Sequence, residues 1–246
     1  MKLYKNIALA SFLLLPMTAQ ASGIGLYVPM AASTSSSTED NDINYTEDLV
    51  YKPGYGIGLV YDSNVGKDDM YAYRLGLEYL KMDIDTINGN TYNGDEKFTR
   101  FNMVNTFEFG LVTTKSIRFW AGPRINIAYQ SYSYQSGTYS FDQSNVEFGI
   151  APALGTNFNL GSIVSLGFDV DYRFTGLSGA WTAKDSQISL DDDGSYSGTG
   201  KGLTARLYLL FRFGEGHSDA VAPTNNTNTN NTPSYQHNDD VIDDSL

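Results

Sequence analysis

Between Ser162 and Phe174 the chain alternates strictly: Val164, Leu166, Phe168, Val170, Tyr172 and Phe174 fall on one side, and Asp169, Asp171 and Arg173 on the other. A period of two marks a strand, because successive side chains leave a pleated backbone on opposite faces. The chemistry of the second face constrains the fold most. It carries charged side chains at mid-strand, where a soluble sheet buries aliphatic groups, and the same split recurs in most strand-like segments from Gly23 to Phe213. A β-barrel that crosses a bilayer inverts the soluble pattern in this way, with apolar side chains toward lipid and polar ones toward the lumen.

The start of the chain reads as an export signal. Lys2 and Lys5 form its charged beginning, Ile7 to Met17 its apolar run and Ala19-Gln20-Ala21 its small-residue cleavage site, so residues 1–21 are expected to be removed and the mature chain to begin at Ser22. About a dozen apolar residues are too few for a helix across about 30 Å of hydrocarbon, and no later stretch is long enough either, so any crossing uses strands. The chain has no cysteine, which excludes a disulfide frame and thiolate metal sites. Without Lys2 and Lys5, 14 basic residues face 28 acidic ones, a net charge of −14 for the mature chain. That balance excludes nucleic acid as a partner. Residues 214–246 hold Glu215, Asp219, Asp239, Asp240, Asp243 and Asp244, no Lys or Arg, and an Asn/Thr tract at 225–232. Such a segment has little to bury and reads as a disordered tail on the periplasmic side. One folded domain, residues 22–213, remains.

Eight alternating segments are expected, at about 23–30, 51–61, 71–82, 98–111, 117–130, 145–158, 162–174 and 201–213. The gaps between them alternate: long at 31–50, 83–97, 131–144 and 175–200, short at 62–70, 112–116 and 159–161. An even number of strands with alternating connection lengths predicts an all-β, antiparallel up-and-down transmembrane barrel with long outer loops and short periplasmic turns. Tyrosines flank aliphatics on the outward face, as in Tyr55-Ile57-Leu59-Tyr61 and Tyr71-Tyr73-Leu75-Leu77-Tyr79, matching the aromatic girdles found at headgroup level. Asn105 falls on that face and breaks the pattern, which suggests a bulge or a register change there. A secreted lipocalin-like barrel or a sandwich would also alternate, but with Lys, Thr and Ser facing water in place of glycine and paired charges.

By the same alternation the lumen collects Glu78, Glu108, Glu147, Asp169 and Asp171 against Lys52, Arg74, Arg100, Arg118, Arg124, Arg173, Arg206 and Arg212, interleaved with glycines. An eight-stranded barrel has room only for side chains, and buried charges need partners, so an ion-pair network that fills the lumen is expected. The alternative is a narrow or gated channel for ions or small solutes, lined by the surplus arginines Arg118, Arg124 and Arg206 and favouring anions.

These features resemble the small eight-stranded outer-membrane proteins, the group that includes the OmpA transmembrane domain, OmpX and the opacity-type adhesins. The last segment, Arg206 to Phe213, is similar to the signal read by the barrel-assembly machinery, with a polar start at Arg206 and the aromatic pair Phe211 and Phe213. The resemblance implies a place in the outer membrane of a Gram-negative cell, with lipopolysaccharide and other outer-membrane lipids as neighbours. Some barrels of this size are lipid A modifying enzymes that use a His to activate a Ser. Here the two histidines, His217 and His237, both fall in the tail, so no catalysis is expected and no cofactor or metal is called for. Asp191 to Ser195 partly matches a calcium loop, but Tyr196 stands where its glycine belongs.

The expected loops hold most of the acid, among it Glu39, Asp42, Asp85, Asp95, Glu96 and Asp191 to Asp193. Simple solvation accounts for such runs, with cation bridging to anionic lipopolysaccharide or attraction to a cationic partner as alternatives. In the third loop Tyr132, Tyr134, Tyr139 and Phe141 stand among Ser, Gln and Gly, a composition suited to an adaptable binding surface for a host or surface ligand and equally to rings resting at a membrane interface. Asp42-Ile43-Asn44-Tyr45-Thr46 is similar to a bacterial glycosylation acceptor. The reading is therefore a structural or surface-interaction, adhesin-like barrel, with a channel as the alternative.

Overall fold

The computed structural model describes residues 22–40, 45–63, 70–92, 97–185, 187–188 and 190–213. The expected leader, the tail with His217 and His237, and Asp42, Asn44, Asp95 and Glu96 lie outside the described residues. Ten strands follow in chain order: β1 Ser22–Asp40, β2 Tyr45–Tyr51, β3 Gly54–Asp62, β4 Tyr71–Ile87, β5 Asn90–Thr91, β6 Lys97–Thr113, β7 Ile117–Ser136, β8 Tyr139–Leu160, β9 Val164–Asp185 and β10 Leu190–Phe213. All pairings are antiparallel. Eight strands close a ring in the order β1-β3-β4-β6-β7-β8-β9-β10, and β1 returns to β10 from Ser22↔Phe213 to Asp40↔Tyr196. Closure leaves the sheet without an edge, which is what a backbone surrounded by hydrocarbon requires.

The strands run far past the expected segments. β10 spans 24 residues, whereas about 10 tilted residues cross a bilayer. The excess lies at one end, here the upper end, where stretches expected as loops continue as strands, β7–β8 pairing out to Ser136↔Tyr139 and β9–β10 out to Asp185↔Leu190. The reason lies in a reversal of polarity. In the lower part of β4, Arg74 and Glu78 point inward and Leu75 and Leu77 outward. Above them Leu80, Met82 and Ile84 point inward and are buried, with Lys81, Asp83 and Asp85 on the other face. The lower barrel is apolar outside, the upper one apolar inside, and the faces change roles between Tyr79 and Lys81. That change marks where lipid gives way to water. The upper core holds Leu49, Tyr51, Leu80, Met82, Ile84 and Phe98, with Tyr132 and Tyr92 packed against it.

β2 and β3 are one strand interrupted at Lys52 and Pro53. Both keep the same register against β1: Thr34 faces Tyr51 and Met30 faces Tyr55. Ala32 on β1 and Pro53 opposite it are paired extra residues, and each turns its own strand by half a period. Inward residues are therefore odd-numbered on β1 up to Ala31 and even-numbered from Thr34. Proline supplies no N–H to a ladder and so accepts such a position readily.

Asn105 causes no irregularity. The registers of β4–β6 and β6–β7 pass through it unshifted, and its Oδ1 accepts a 2.6 Å hydrogen bond from the Tyr73 hydroxyl beside it on the lipid face. The shift on β6 comes further on, between Gly110 and Val112. Glycine is required where large groups cross the lumen: a Cβ on Gly58 would lie 2.3 Å from the Tyr27 ring, and one on Gly155 2.4 Å from Trp120. The outward belt of β10 runs Leu203, Leu207, Leu209, Phe211 and Phe213, all exposed. With Leu207 near its middle, Leu207→Arg is expected to cost about 2–4 kcal/mol in lipid vesicles, read by urea unfolding. A cost below about 0.5 kcal/mol would mean that this face does not meet hydrocarbon.

Candidate functional site

The lower lumen is filled by one connected charge network. Arg74 reaches Asp62 at 2.6 Å, Glu108 at 3.1 Å and Asp169 at 3.4 Å. Arg118 holds the other oxygen of Glu108 at 2.8 Å. Arg124 bridges Asp169 at 2.8 Å and Asp171 at 2.5 Å, and its Nε donates to Thr106. Arg206 lies 3.0 Å from Glu78 and 3.5 Å from Asp169 and also contacts Asp171. Neutral groups complete the shell: Asn102 donates to Glu78 at 2.5 Å, Tyr27 donates to Glu78 at 3.2 Å, and Tyr208 donates to Asp169 at 2.5 Å. The Arg74 guanidinium lies over the Trp120 and Tyr208 rings, 5.1 and 4.7 Å from their centroids, where the π-faces favour a cation. One level higher, Arg100 pairs with Glu147, and buried Arg173 stands among Arg100, Glu147, Asp171 and Glu78.

Three differences from the alternation reading have physical causes. Lys52 is exposed and outside the lumen, because Pro53 reverses the facing of the strand between Gly54 and Lys52. Arg212 lies at the lower end, half-buried, and donates to the Gly161 carbonyl away from the network. Asp62, expected in a turn, is the last residue of β3 and wholly buried against Arg74. Among the described residues, six carboxylates (Asp62, Glu78, Glu108, Glu147, Asp169, Asp171) thus meet six arginines (Arg74, Arg100, Arg118, Arg124, Arg173, Arg206). The expected surplus of base disappears. The cavity beside Arg100, Glu147 and Arg173, at the upper level of the network, measures about 10 Å³ and holds at most a single water.

The aromatic candidates of the third connection stay neighbours in two pairs, Tyr132 with Phe141 at 6.1 Å and Tyr134 with Tyr139 at 6.3 Å, but the pairs differ in setting. Tyr132 stacks on Phe98 at 4.8 Å within the upper core, and Phe141 stacks on Trp181 at 6.2 Å. Tyr139 is half-buried, and Tyr134 is exposed at the tip of the β7–β8 hairpin. Asp191 to Ser195 lie in β10, paired with β9 from Lys184 to Ala180. Sequence reasoning missed Trp181, whose Nε1 donates to Asp40 at 2.7 Å, and Tyr196, which accepts from Asn145 at 3.2 Å. The signal available was the continued alternation of the 175–200 stretch. Of the final-strand residues, Arg206 belongs to the network, while Phe211 and Phe213 are exposed at the lower rim of the apolar belt.

A scan against family models finds no match, and a search of curated proteins finds none either. Comparison of structures does find likenesses. The outer membrane protein OprG from Pseudomonas aeruginosa superimposes with a TM-score of 0.57 at 12% identity, covering 80% of this chain and 97% of that one. The fold is that of a small outer-membrane β-barrel. A major outer membrane protein from Thermus thermophilus overlaps with a TM-score of 0.46 at 13% identity, covering 77% of this chain and 99% of that one. Ail, the attachment invasion locus protein of Yersinia pestis, reaches 0.41 at 12% identity over 79% of this chain and 99% of that one. Both overlaps are too loose to argue from. Such identities make the barrel a scaffold, and its function must be read from its own surfaces.

Proposed function

We propose that the protein is a plugged outer-membrane barrel that acts through its outer surface, as a structural or surface-interaction protein of the adhesin kind. The charge-balanced lumen supports this reading most directly, with six arginines against six carboxylates, all buried. A channel for anions would need the surplus of arginine that Asp62 cancels. The apolar core above, from Leu49 to Phe98, would stand across the same path. With the long hairpins outward, Tyr134 and the acidic faces of the upper strands are what a host or surface ligand meets. Outer-membrane lipids and lipopolysaccharide surround the belt, and the barrel-assembly machinery would read Arg206, Phe211 and Phe213. Catalysis is not part of the proposal.

The mature protein inserted in a planar bilayer is expected to carry no steady single-channel current. Ion-selective steps that fall when Arg124 is neutralised would replace this reading with a channel. Trimming 131–144 is expected to abolish binding to host cells or matrix while the barrel still inserts.

A further inference from the structure

On the outside of the barrel, at the upper edge of the apolar belt, five neighbouring strands enclose a groove of about 680 Å³. Two cross-strand rows build it. One runs Phe148, Gly176, Thr199, Ser37 and Asp48, and the next Ile150, Phe174, Lys201, Ser35 and Val50. In the first row small residues stand between Phe148 and Asp48, in the second Phe174 extends the wall beside Ile150 and Lys201 stands next to Ser35, and a Cβ on Gly176 would meet nothing within 4 Å. The groove is a trough with an aromatic and aliphatic wall on the β8–β9 side and a floor of hydroxyls with one lysine.

The wall behind the floor is one residue thick. Ser35, Ser36, Thr175, Gly200 and Lys201 border both the groove and the small inner cavity, whose far side carries Arg100, Arg173 and Glu147. Lys201 stands on the outer side of that wall, and Arg100 and Arg173 on the inner side, where Glu147 and Asp171 face them; Asp48 lies at the far rim of the groove. With the inner charges matched, Lys201 is the basic side chain that lines the groove, and a charge against a low-dielectric wall is weakly screened. Lys201 directly precedes the apolar belt of β10, two residues from Leu203 on the same face. Headgroups change to acyl chains at that height.

We propose that this groove seats one phosphorylated lipid of the outer leaflet, its acyl chains against Phe148, Ile150 and Phe174 and its phosphate over Lys201 and the hydroxyls of Ser35, Ser37 and Thr199. The inference rests on the reading that the long-hairpin end faces outward in an outer membrane. It gives that barrel a defined lipid position where the belt alone would give only a bulk lipid shell.

The test is native mass spectrometry of the full mature chain, refolded in detergent and titrated with bis-phosphorylated hexa-acyl lipid A or with phosphatidylethanolamine. One saturable lipid A adduct is expected, retained about tenfold better than phosphatidylethanolamine, because the phosphate monoesters of lipid A carry net charge whereas the ammonium of phosphatidylethanolamine offsets its phosphodiester, and a charge-assisted contact contributes about 1.5–3 kcal/mol. Lys201→Glu should remove that preference and Lys201→Arg keep it, while Gly176→Trp should fill the trough and abolish the adduct; heat-modifiable gel mobility checks that each variant folds. Equal retention of the two lipids, or an unaffected Lys201→Glu variant, would overturn the proposal. So would a dimer lost on Gly176→Trp, which would make a second copy the occupant, or displacement of lipid A by millimolar inorganic phosphate, which would make this a free-phosphate site. Bilayer currents with the adduct intact would overturn the plugged reading and leave the lipid site standing.

Discussion

Asp169→Asn is expected to lower the stability of the folded barrel by about 3–5 kcal/mol, the usual cost of removing one partner from a buried ion network. Asp169 is the acid at which the network converges: Arg124 at 2.8 Å, Arg74 at 3.4 Å, Arg206 at 3.5 Å and the Tyr208 hydroxyl at 2.5 Å all meet it. The amide keeps the shape and loses the charge. Three buried guanidinium groups then share fewer carboxylates, and each retains most of its desolvation cost. Urea titration of the refolded barrel, followed by the fluorescence of Trp120 and Trp181, measures the loss. A change below about 1 kcal/mol would mean that the network is solvated and its pairs worth no more than surface ones. Lys52→Gln is the matching control, expected within about 0.5 kcal/mol of the parent because Lys52 is exposed.

Met82→Lys is expected to act at the other end and in another way. Met82 is buried among Leu80, Ile84, Phe98 and Tyr51, so an ammonium there has no partner and costs several kcal/mol. The lower barrel shares little of that core. The upper strands should therefore open and be cut by protease in vesicles, while the membrane-spanning part stays protected. Lys81→Met, one residue away on the outer face, should leave the digestion pattern unchanged. If Met82→Lys leaves the upper strands resistant, or prevents insertion altogether, the two parts do not have separate cores.

The membrane-spanning half was legible in the sequence because lipid outside and charge inside leave an alternation that both faces enforce, as in Leu166 to Phe174 against Asp169 to Arg173. The upper half was less legible for a reason also visible in particular residues. Leu80, Met82 and Ile84 alternate as regularly as the residues below them, but with polarity reversed, so a reading tuned to one polarity ends the strand at the reversal. Lys52 and Asp62 show two further limits. Period-two arithmetic carried back across Pro53 gives Lys52 the wrong face, and a carboxylate at the last position of β3 looks like a turn residue until Arg74 on the adjacent strand is seen to bind it. Tyr132 and Phe141 had the composition of a recognition loop, yet composition does not say which aromatic rings find each other.

The paired irregularity at Ala32 and Pro53 limits how this chain can change length. Because the two extra residues face each other, β1 and β2–β3 turn over together and their own pairing stays in step, while the shift falls on the ladders to either side, at Ala31/Ser33 against β10 and Val50/Tyr51 against β4. Deleting Ala32 alone would let Ser33 follow Ala31 in unbroken alternation against β10, with Thr38 still inward, but would leave Pro53 without an opposite residue on β1. Deleting both residues would restore agreement between these two strands. A change of length at this height therefore leaves the ladder between β1 and β2–β3 undisturbed only as a couple, one residue on each strand.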